Sequence, residues 1–458
     1  MKKKIIVRGP VLSRSGYGEQ ARFALRALHT RTDLFEIYVL NIPWGATGQI
    51  TSVSGERPWI EGLCMRTHLY FQENQGVPSQ ILFDISLQIT LPLEFENIAP
   101  IDIGYTAGIE TTQVPGEWLQ KSNDTVDKII TISEHSRGVF TNTKYEMKDE
   151  RTGEITSNFG LEVPVAVVNY PAINIEPQPV EIDFKTENNF LIVSQWGPRK
   201  NLDNTIRWFV EEYQEDESVG LVIKTNMVAD SVFDREATTH RLAQLLNSYP
   251  DRKCKVYLIH GGLTSHQLTW LYQHPTMKAL INIAHGEGYG LPLFEAAWNG
   301  LPLVTVTWGG QMDFICKPNK KGKVSPRCAR VDYEIKPVQP EAIWPNIIQE
   351  GSQWAFPKEK SFKKAVRDIL NKEIHYKQLA KGLQSYILEK FTEEKIYKNF
   401  VHEVWELVGS PEASEQFRSA GGQLKIGDET YQAAQGLHYF DLQNESDENA
   451  TSAEENTG

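Results

Sequence analysis

His285-Gly286-Glu287-Gly288-Tyr289-Gly290-Leu291-Pro292-Leu293-Phe294-Glu295-Ala296-Ala297-Trp298-Asn299-Gly300 is the stretch around which the chain is organised. The apolar run Ala279 to Ile283 precedes it and Leu303 to Val306 follows, so it reads as strand, glycine turn, short helix, strand. Glycines 286, 288 and 290 let backbone amides approach a ligand, and Pro292 falls where a first helical turn tolerates proline. Amides at a helix start carry partial positive charge, so an anion such as phosphate is expected there. Glu295 comes eight residues after Glu287, about two helical turns, which lets both carboxylates face one cleft. Carboxylates would repel phosphate on contact. They suit the hydroxyls of a sugar and a ribose instead.

A chain of 458 residues exceeds one core of usual size and fits two domains plus extras. The formal net charge of -12 argues against a surface that embraces nucleic acid or anionic lipid nonspecifically. Cys64, Cys254, Cys316 and Cys328 lack the paired spacing of a zinc site, and plain thiols in a reducing cytoplasm are the simplest expectation. Met1-Lys2-Lys3-Lys4 leads into only Ile5-Ile6-Val7 before Arg8, which reads as a first strand rather than a signal sequence. No apolar run approaches the roughly 20 residues that span a bilayer, so stable membrane insertion is not expected.

Along the chain, strand and helix patterns alternate, which points to parallel sheets covered on both faces. Ile5 to Gly9 is a buried strand, Pro10 to Gly18 a loop, and Glu19 to His29 an amphipathic helix, leaving Gly16 and Gly18 between strand and helix. By itself that glycine pair reads equally as a tight turn or a phosphate cradle. Phe35 to Leu40 gives a second strand, and apolar stretches around His68 to Phe71 and Ile81 to Ile89 are read as continuing the alternation. Glu110 and His135 each lie beyond the carboxyl end of a strand, where ligand crevices of such sheets form. A solvated glutamate and a capping or packing histidine are their ordinary alternatives. Lys144 to Asn158 reads as an exposed excursion, and residues 176–188 as a linker between residues 1–175 and 189–390.

The second series begins with the strand Phe190 to Ser194 and the turn Gly197-Pro198-Arg199-Lys200-Asn201. Arg199 and Lys200 share a rim with the glycine turn and could neutralise a diphosphate leaving group. Lys317, Lys320, Lys321 and Lys323 read as a solvated loop, with an anionic contact on the acceptor side as the alternative. Residues 391–409 hold an amphipathic helix, and the polar, acidic stretch 410–458 is expected to be largely disordered. Trp44, Trp118, Trp196 and Trp308 fall in loop-like places and could stack on sugars.

Taken together these residues resemble family 4 of the retaining glycosyltransferases, which have the two-domain GT-B fold. The likeness rests on Glu287, seven residues, then Glu295, within His285 to Ala296. It is supported by Ser15-Gly16-Tyr17-Gly18, Arg199-Lys200-Asn201, His260-Gly261-Gly262-Leu263-Thr264, Gly309-Gly310 and the helix around Tyr397. The resemblance implies two Rossmann-like domains facing across a cleft, with a C-terminal helix crossing back to the first. It implies that Glu295 binds the donor ribose and Glu287 the transferred sugar. Amides near Gly288, Tyr289, Gly290 and Leu291, with Arg199 and Lys200, would hold the diphosphate, and Gly16 and Gly18 would let the first domain's loop reach it. Growing charge on the leaving group would be stabilised there.

The family likeness also implies a nucleotide-diphosphate sugar as donor substrate, no cofactor and no metal. The acceptor would be a hydroxyl on a glycan, a lipid-linked sugar, a protein or a modified nucleic acid, as in polysaccharide biosynthesis. Many relatives separate the arginine from the lysine, whereas Arg199 and Lys200 are adjacent here. A histidine common in the first domain has no clear match, so Glu110 or His135 is a candidate for its place. A nucleotide-sugar epimerase and a non-catalytic nucleotide-sugar-binding protein are the competing readings.

Overall fold

A computed structural model of the chain describes residues 2–50, 55–148, 155–318, 322, 324–409, 424–426 and 429–431. Its strands are β1 (Lys3–Gly9), β2 (Phe35–Asn41), β3 (Ile85–Gln88), β4 (Ile101–Thr106), β5 (Lys128–Thr131), the hairpin β6 (Lys144–Lys148) and β7 (Ile155–Gly160), and β8 (Val165–Val167). A second series holds β9 (Asn188–Val193), β10 (Val219–Lys224), β11 (Lys255–Ile259), β12 (Met277–Asn282) and β13 (Leu303–Val306). The ribbon β14 (Cys316–Pro318) and β15 (Val324–Pro326), then β16 (Ala329–Val331), come next. Two further ribbons follow, β17 (Tyr333–Pro337) with β18 (Gln353–Pro357), and β19 (Leu424–Ile426) with β20 (Glu429–Tyr431).

Two six-stranded sheets form, ordered β2-β1-β3-β4-β5-β8 and β11-β10-β9-β12-β13-β16. All their pairings are parallel, as Ile5 against both Ile37 and Ile85, or Leu280 against both Leu191 and Leu303. Apolar strand interiors such as Ile5-Ile6-Val7 and Leu221-Val222-Ile223 are fully buried because helices cover both faces. In the first sheet the order reverses between β1 and β3, and in the second between β9 and β12. Crevices open beyond the carboxyl ends of strands at such reversals. Val168 to Glu187 joins the two sheets with no helix or strand, apart from a single bridge between Ala172 and Thr392.

The helix Glu393–Trp405 returns to the first domain and packs on the helix Gly16–His29. Phe400 is fully buried, 5.2 Å from the Phe23 ring and 5.1 Å from Tyr105. From Phe23 a string of rings continues through Tyr170 (5.7 Å) and Tyr289 (5.1 Å) to Phe294 (5.3 Å) and Phe391 (5.5 Å). One apolar cluster therefore runs through both domains and the returning helix. Lys128, buried in β5, donates to the Glu403 carbonyl at 3.2 Å and pairs with the Glu403 and Glu406 carboxylates. A buried ammonium without those acceptors would be strongly unfavourable, so the pair fixes where the returning helix docks.

The first helix and two apolar runs depart from the sequence expectations. The first helix starts at Gly16, not Glu19, because the Ser15 side chain accepts from the Gly18 amide at 3.0 Å and caps it. His68 to Phe71 belongs to the helix Arg57–Glu73 rather than to a strand. Ile81 falls in the short helix Ser79–Leu82, just before β3. Short apolar runs do not distinguish the two periods. Within 144–158, the two hairpin strands form, and residues 149–154 lie outside the described residues. Of the tail at 410–458, only β19 and β20 are described, paired antiparallel. Phe400→Ala should lower the unfolding free energy by about 3–5 kcal/mol, read from the denaturant midpoint. A change under about 0.5 kcal/mol would show that the returning helix is not part of the cooperative core.

Candidate functional site

The second sheet's reversal sets two loops side by side, Ser194 to Asn201 after β9 and Ile283 to Gly290 after β12. The backbone zips them together. His285 N–H donates to the Arg199 carbonyl at 2.8 Å, and buried Asn201, in the left-handed region at φ 55°, donates its amide to the Ile283 carbonyl at 3.3 Å. His285 is held from behind, its ring stacked at 13° on Trp354 and its Nδ1 2.7 Å from the Ala355 carbonyl oxygen. This frame aims Arg199 and Lys200 at Glu287.

Glu287 is 5% exposed and saturated. Its Oε1 accepts from Lys200 Nζ at 2.6 Å and from Asn282 Nδ2 at 2.9 Å, and its Oε2 from Arg199 Nη1 at 3.2 Å. Burial alone would push this carboxyl up, but Lys200 and Arg199 outweigh it and hold it at about 2. Burial and the neighbouring guanidinium lower the Lys200 pKa despite Glu287. Burial also disfavours the Arg199 charge, and Glu110 and Glu287 more than offset that. Arg199 reaches across the domains, with Nη2 3.1 Å from Glu110 Oε1 and Nη1 2.8 Å from the Gly286 carbonyl oxygen. The sequence reading put Arg199 and Lys200 on the rim of the glycine turn and Glu110 at a strand end of the first domain, and the fold brings all three together with Glu287.

Two expectations about the turn change. Gly286 and Gly288 serve the first domain as well as any ligand. A Cβ at 286 would stand 2.0 Å from the Glu110 carbonyl oxygen, and one at 288 would stand 2.9 Å from that of Ala107. Ser133 Oγ also donates to the Gly288 carbonyl at 2.7 Å. The glycines therefore admit a neighbouring backbone, while Gly290, at φ 87°, caps the helix Leu291–Trp298 in a conformation that favours glycine. Tyr289 is 2% exposed with its ring in the aromatic string, so only its amide can serve a ligand. Among the described residues, the N–H groups of Gly288, Tyr289, Gly290 and Leu291 have no hydrogen-bond acceptor. Four unspent donors at a helix start form a ready anion seat.

Nor do the two glutamates share one environment. Glu295 is half-buried and accepts from the Tyr272 hydroxyl at 2.8 Å. Burial and the field of Glu19, from the first domain, push its carboxyl up to about 7 against Tyr272 and Lys224. Lys224 ends β10 and its own pKa is lowered, chiefly by burial. Near it the first domain's Arg14 pairs with Asp230 at 3.1 Å. Gly16 has open space where a side chain would stand, whereas Gly18 is pressed against the Ser13 carbonyl, 2.0 Å from an added Cβ. Gly16 thus borders open space, and Gly18 is needed to close the capped turn.

His135 packs edge-on against Trp308 at 4.9 Å, and burial lowers its pKa to about 4, despite a bond to the Thr111 backbone. That is an interface role. Trp118 and Trp196 are 0% and 4% exposed, so neither is a sugar platform. Trp118 stacks on Phe140 in the first-domain core, and Trp196 donates to Asp203 at 2.6 Å. Sequence reasoning missed Asn282, Tyr272 and Lys224. Asn282 carried a signal, a polar residue closing the run Ala279-Leu280-Ile281; the other two become neighbours of Glu295 only through folding.

No protein-family model matches the chain. A serotype-specific mannosyltransferase, WbdA of Escherichia coli, is 26% identical over 194 residues, covering 41% of this chain and 22% of that protein. The chain thus matches about a fifth of that relative's length. A glycosyltransferase from Rickettsia africae superposes with a TM-score of 0.57 at 10% identity, covering 89% of this chain and 99% of that one. HepE of Anabaena, solved with UDP-glucose, gives 0.51 at 12% identity, covering 88% and 100%. These likenesses, with the two parallel six-stranded sheets, show the GT-B fold.

The carboxyl shifts predict opposite pH behaviour. Glu287, lowered from 4.5 to about 2, contributes stability above pH 4.5 that is lost as pH falls toward 2. Glu295, raised from 4.5 to about 7, favours folding below pH 4.5 and loses that contribution as pH rises through 7. Thermal midpoints across pH should show Glu295→Gln gaining on the wild type as pH climbs from 4.5 past 7. Glu287→Gln should trail at neutral pH and close the gap in acid. A parallel pH profile for both variants would contradict the assignment.

Proposed function

We propose that this chain is a glycosyltransferase that uses a nucleotide-diphosphate sugar and retains anomeric configuration. The observation that carries the reading is the Lys200 and Arg199 pair, held on Glu287 beside four unspent amides at the second sheet's reversal. Together they offer a pyrophosphate two cations and a helix N-terminus, and they leave carboxylates for hydroxyls. The partial likeness to a mannosyltransferase and the shared fold of a UDP-glucose complex support a nucleotide-sugar donor.

In this reading Glu295 accepts the ribose hydroxyls. It lies in the helix whose N-terminus faces the diphosphate, and its partner Tyr272 gives it a fixed direction. Glu287 faces the transferred sugar once Lys200 turns toward phosphate. The bond between the anomeric carbon and the diphosphate oxygen breaks, and its electrons pass to that oxygen, where Lys200, Arg199 and the amides stabilise them. The acceptor hydroxyl forms the new bond from the same face and gives its proton to the departing phosphate oxygen. That route needs no dedicated base and no cofactor or metal. In this reading Glu110 holds Arg199 through an ion pair from the first domain and transfers no proton. The acceptor is a hydroxyl-bearing glycan or a molecule that carries one.

Incubating the full chain with a panel of nucleotide sugars and assaying released nucleoside diphosphate tests this. One donor should be turned over, with loss of at least 100-fold in kcat/KM for Lys200→Ala, about 2.7 kcal/mol of transition-state stabilisation. Anomeric analysis of the product should show retention. An inverted product would sink the retaining assignment, and silence toward every donor would sink the transferase.

A further inference from the structure

Outside the cleft, a groove of about 320 Å³ lies between the β14–β15 ribbon and the helix Glu373–Lys390. Its lining is Lys317, Arg327, His375, Gln378, Leu379 and Gly382, with no carboxylate. Among the described residues, Lys317 Nζ donates to the Gly382 carbonyl at 3.2 Å and lies 5.8 Å from the Tyr386 ring centre. Arg327 Nε is sealed from solvent and has no acceptor among the described residues. Among the described residues neither cation has an ion-pair partner. Nearby carboxylates are already engaged, Glu373 by Lys278 (3.0 Å) and Lys377 (2.8 Å), and Glu389 by Lys390 (3.0 Å), with Lys317 acting on Glu389 only through its field.

The sequence sharpens the imbalance. Cys316 to Val331 contains Lys317, Lys320, Lys321, Lys323, Arg327 and Arg330 and no acidic residue, in a chain of net charge -12. Lys320, Lys321 and Lys323 lie outside the described residues. Charged N–H groups at a groove wall that carries no carboxylate are natural partners for an anion. The guanidinium offers a planar fork, the ammonium a point charge and the imidazole a further donor, a set that matches phosphoryl oxygens. None of these groups belongs to the Glu287 cluster. The helix Glu373–Lys390 separates them from the donor helix through Gln384, which donates to the Trp298 carbonyl at 2.8 Å.

We propose that this groove is a second anion site that takes the phosphate group of a soluble ligand, held by Arg327 and Lys317 with His375 at the rim. The proposal stands independently of the glycosyltransferase reading. Inorganic phosphate is the probe, titrated into the full chain at constant ionic strength while the thermal midpoint is followed. The wild type and Lys200→Ala should both show a saturable, phosphate-specific rise. Lys317→Gln/Arg327→Gln should bind phosphate at least about tenfold more weakly, the loss of one charge-assisted hydrogen bond or more, with its phosphate-free midpoint unchanged. If the double variant is unstable, Arg327→Gln alone carries the comparison. No rise, an equal rise in all variants, or a rise abolished only by Lys200→Ala overturns the proposal. Sedimentation with phosphatidylcholine vesicles, with and without phosphatidylglycerol, separates a lipid source. Vesicle binding that requires Lys317 and Arg327, without an inorganic phosphate response, also overturns it.

Discussion

A carboxylate that is 5% exposed and still charged needs cations fixed against it, and that requirement organises the second half of this molecule. Glu287 meets it with Lys200 at 2.6 Å, Arg199 at 3.2 Å and the Asn282 amide at 2.9 Å. Those partners come from two strand ends brought together by the sheet's reversal. The backbone bond from His285 to Arg199 and the left-handed turn at Asn201 keep the loops in register. Without a ligand the cluster is internally neutralised: two cations answer Glu287 and Glu110. On the proposed reading, a diphosphate would change partners within a prebuilt set rather than assemble one, which lowers the reorganisation that binding and reaction require.

The same turn joins the domains. Gly286 and Gly288 leave room for the backbone of Ala107 to Glu110, Arg199 bonds Glu110, and Ser133 bonds the Gly288 carbonyl. Behind these polar contacts, Tyr289 belongs to the string of rings that runs from Phe23 to Phe391. Residues that carry the unspent amides on one side thus face the first domain on the other. The interdomain contact and the amide seat share atoms, so a ligand that moves the turn also acts on the contact between the domains.

Much of this was legible because period and punctuation are local. Buried parallel strands appear as apolar runs, glycines mark the turn after β12, and Arg199-Lys200 follows β9. Reversal of strand order then puts Arg199, Lys200 and Glu287 together. What sequence could not give was set by contacts distant in the chain. Tyr272 and Lys224 become neighbours of Glu295 only through packing, and Gly286 is glycine because Glu110, far away in sequence, lies against it. The first helix was read three residues short because Ser15 caps it and Gly16 to Gly18 form its opening turn, against their low helix propensity. Trp118 and Trp196 looked like loop aromatics because neighbouring prolines and glycines mask the fact that both rings are core.

Hydrogen exchange of the Gly288 to Leu291 amides tests the central claim most directly, measured on the full chain with and without nucleoside diphosphates. The account predicts that one nucleoside diphosphate slows exchange at these amides and does so far less in Lys200→Ala, because the diphosphate occupies both the amides and the ammonium. Tight nucleotide binding with these amides exchanging at their free rate would contradict it.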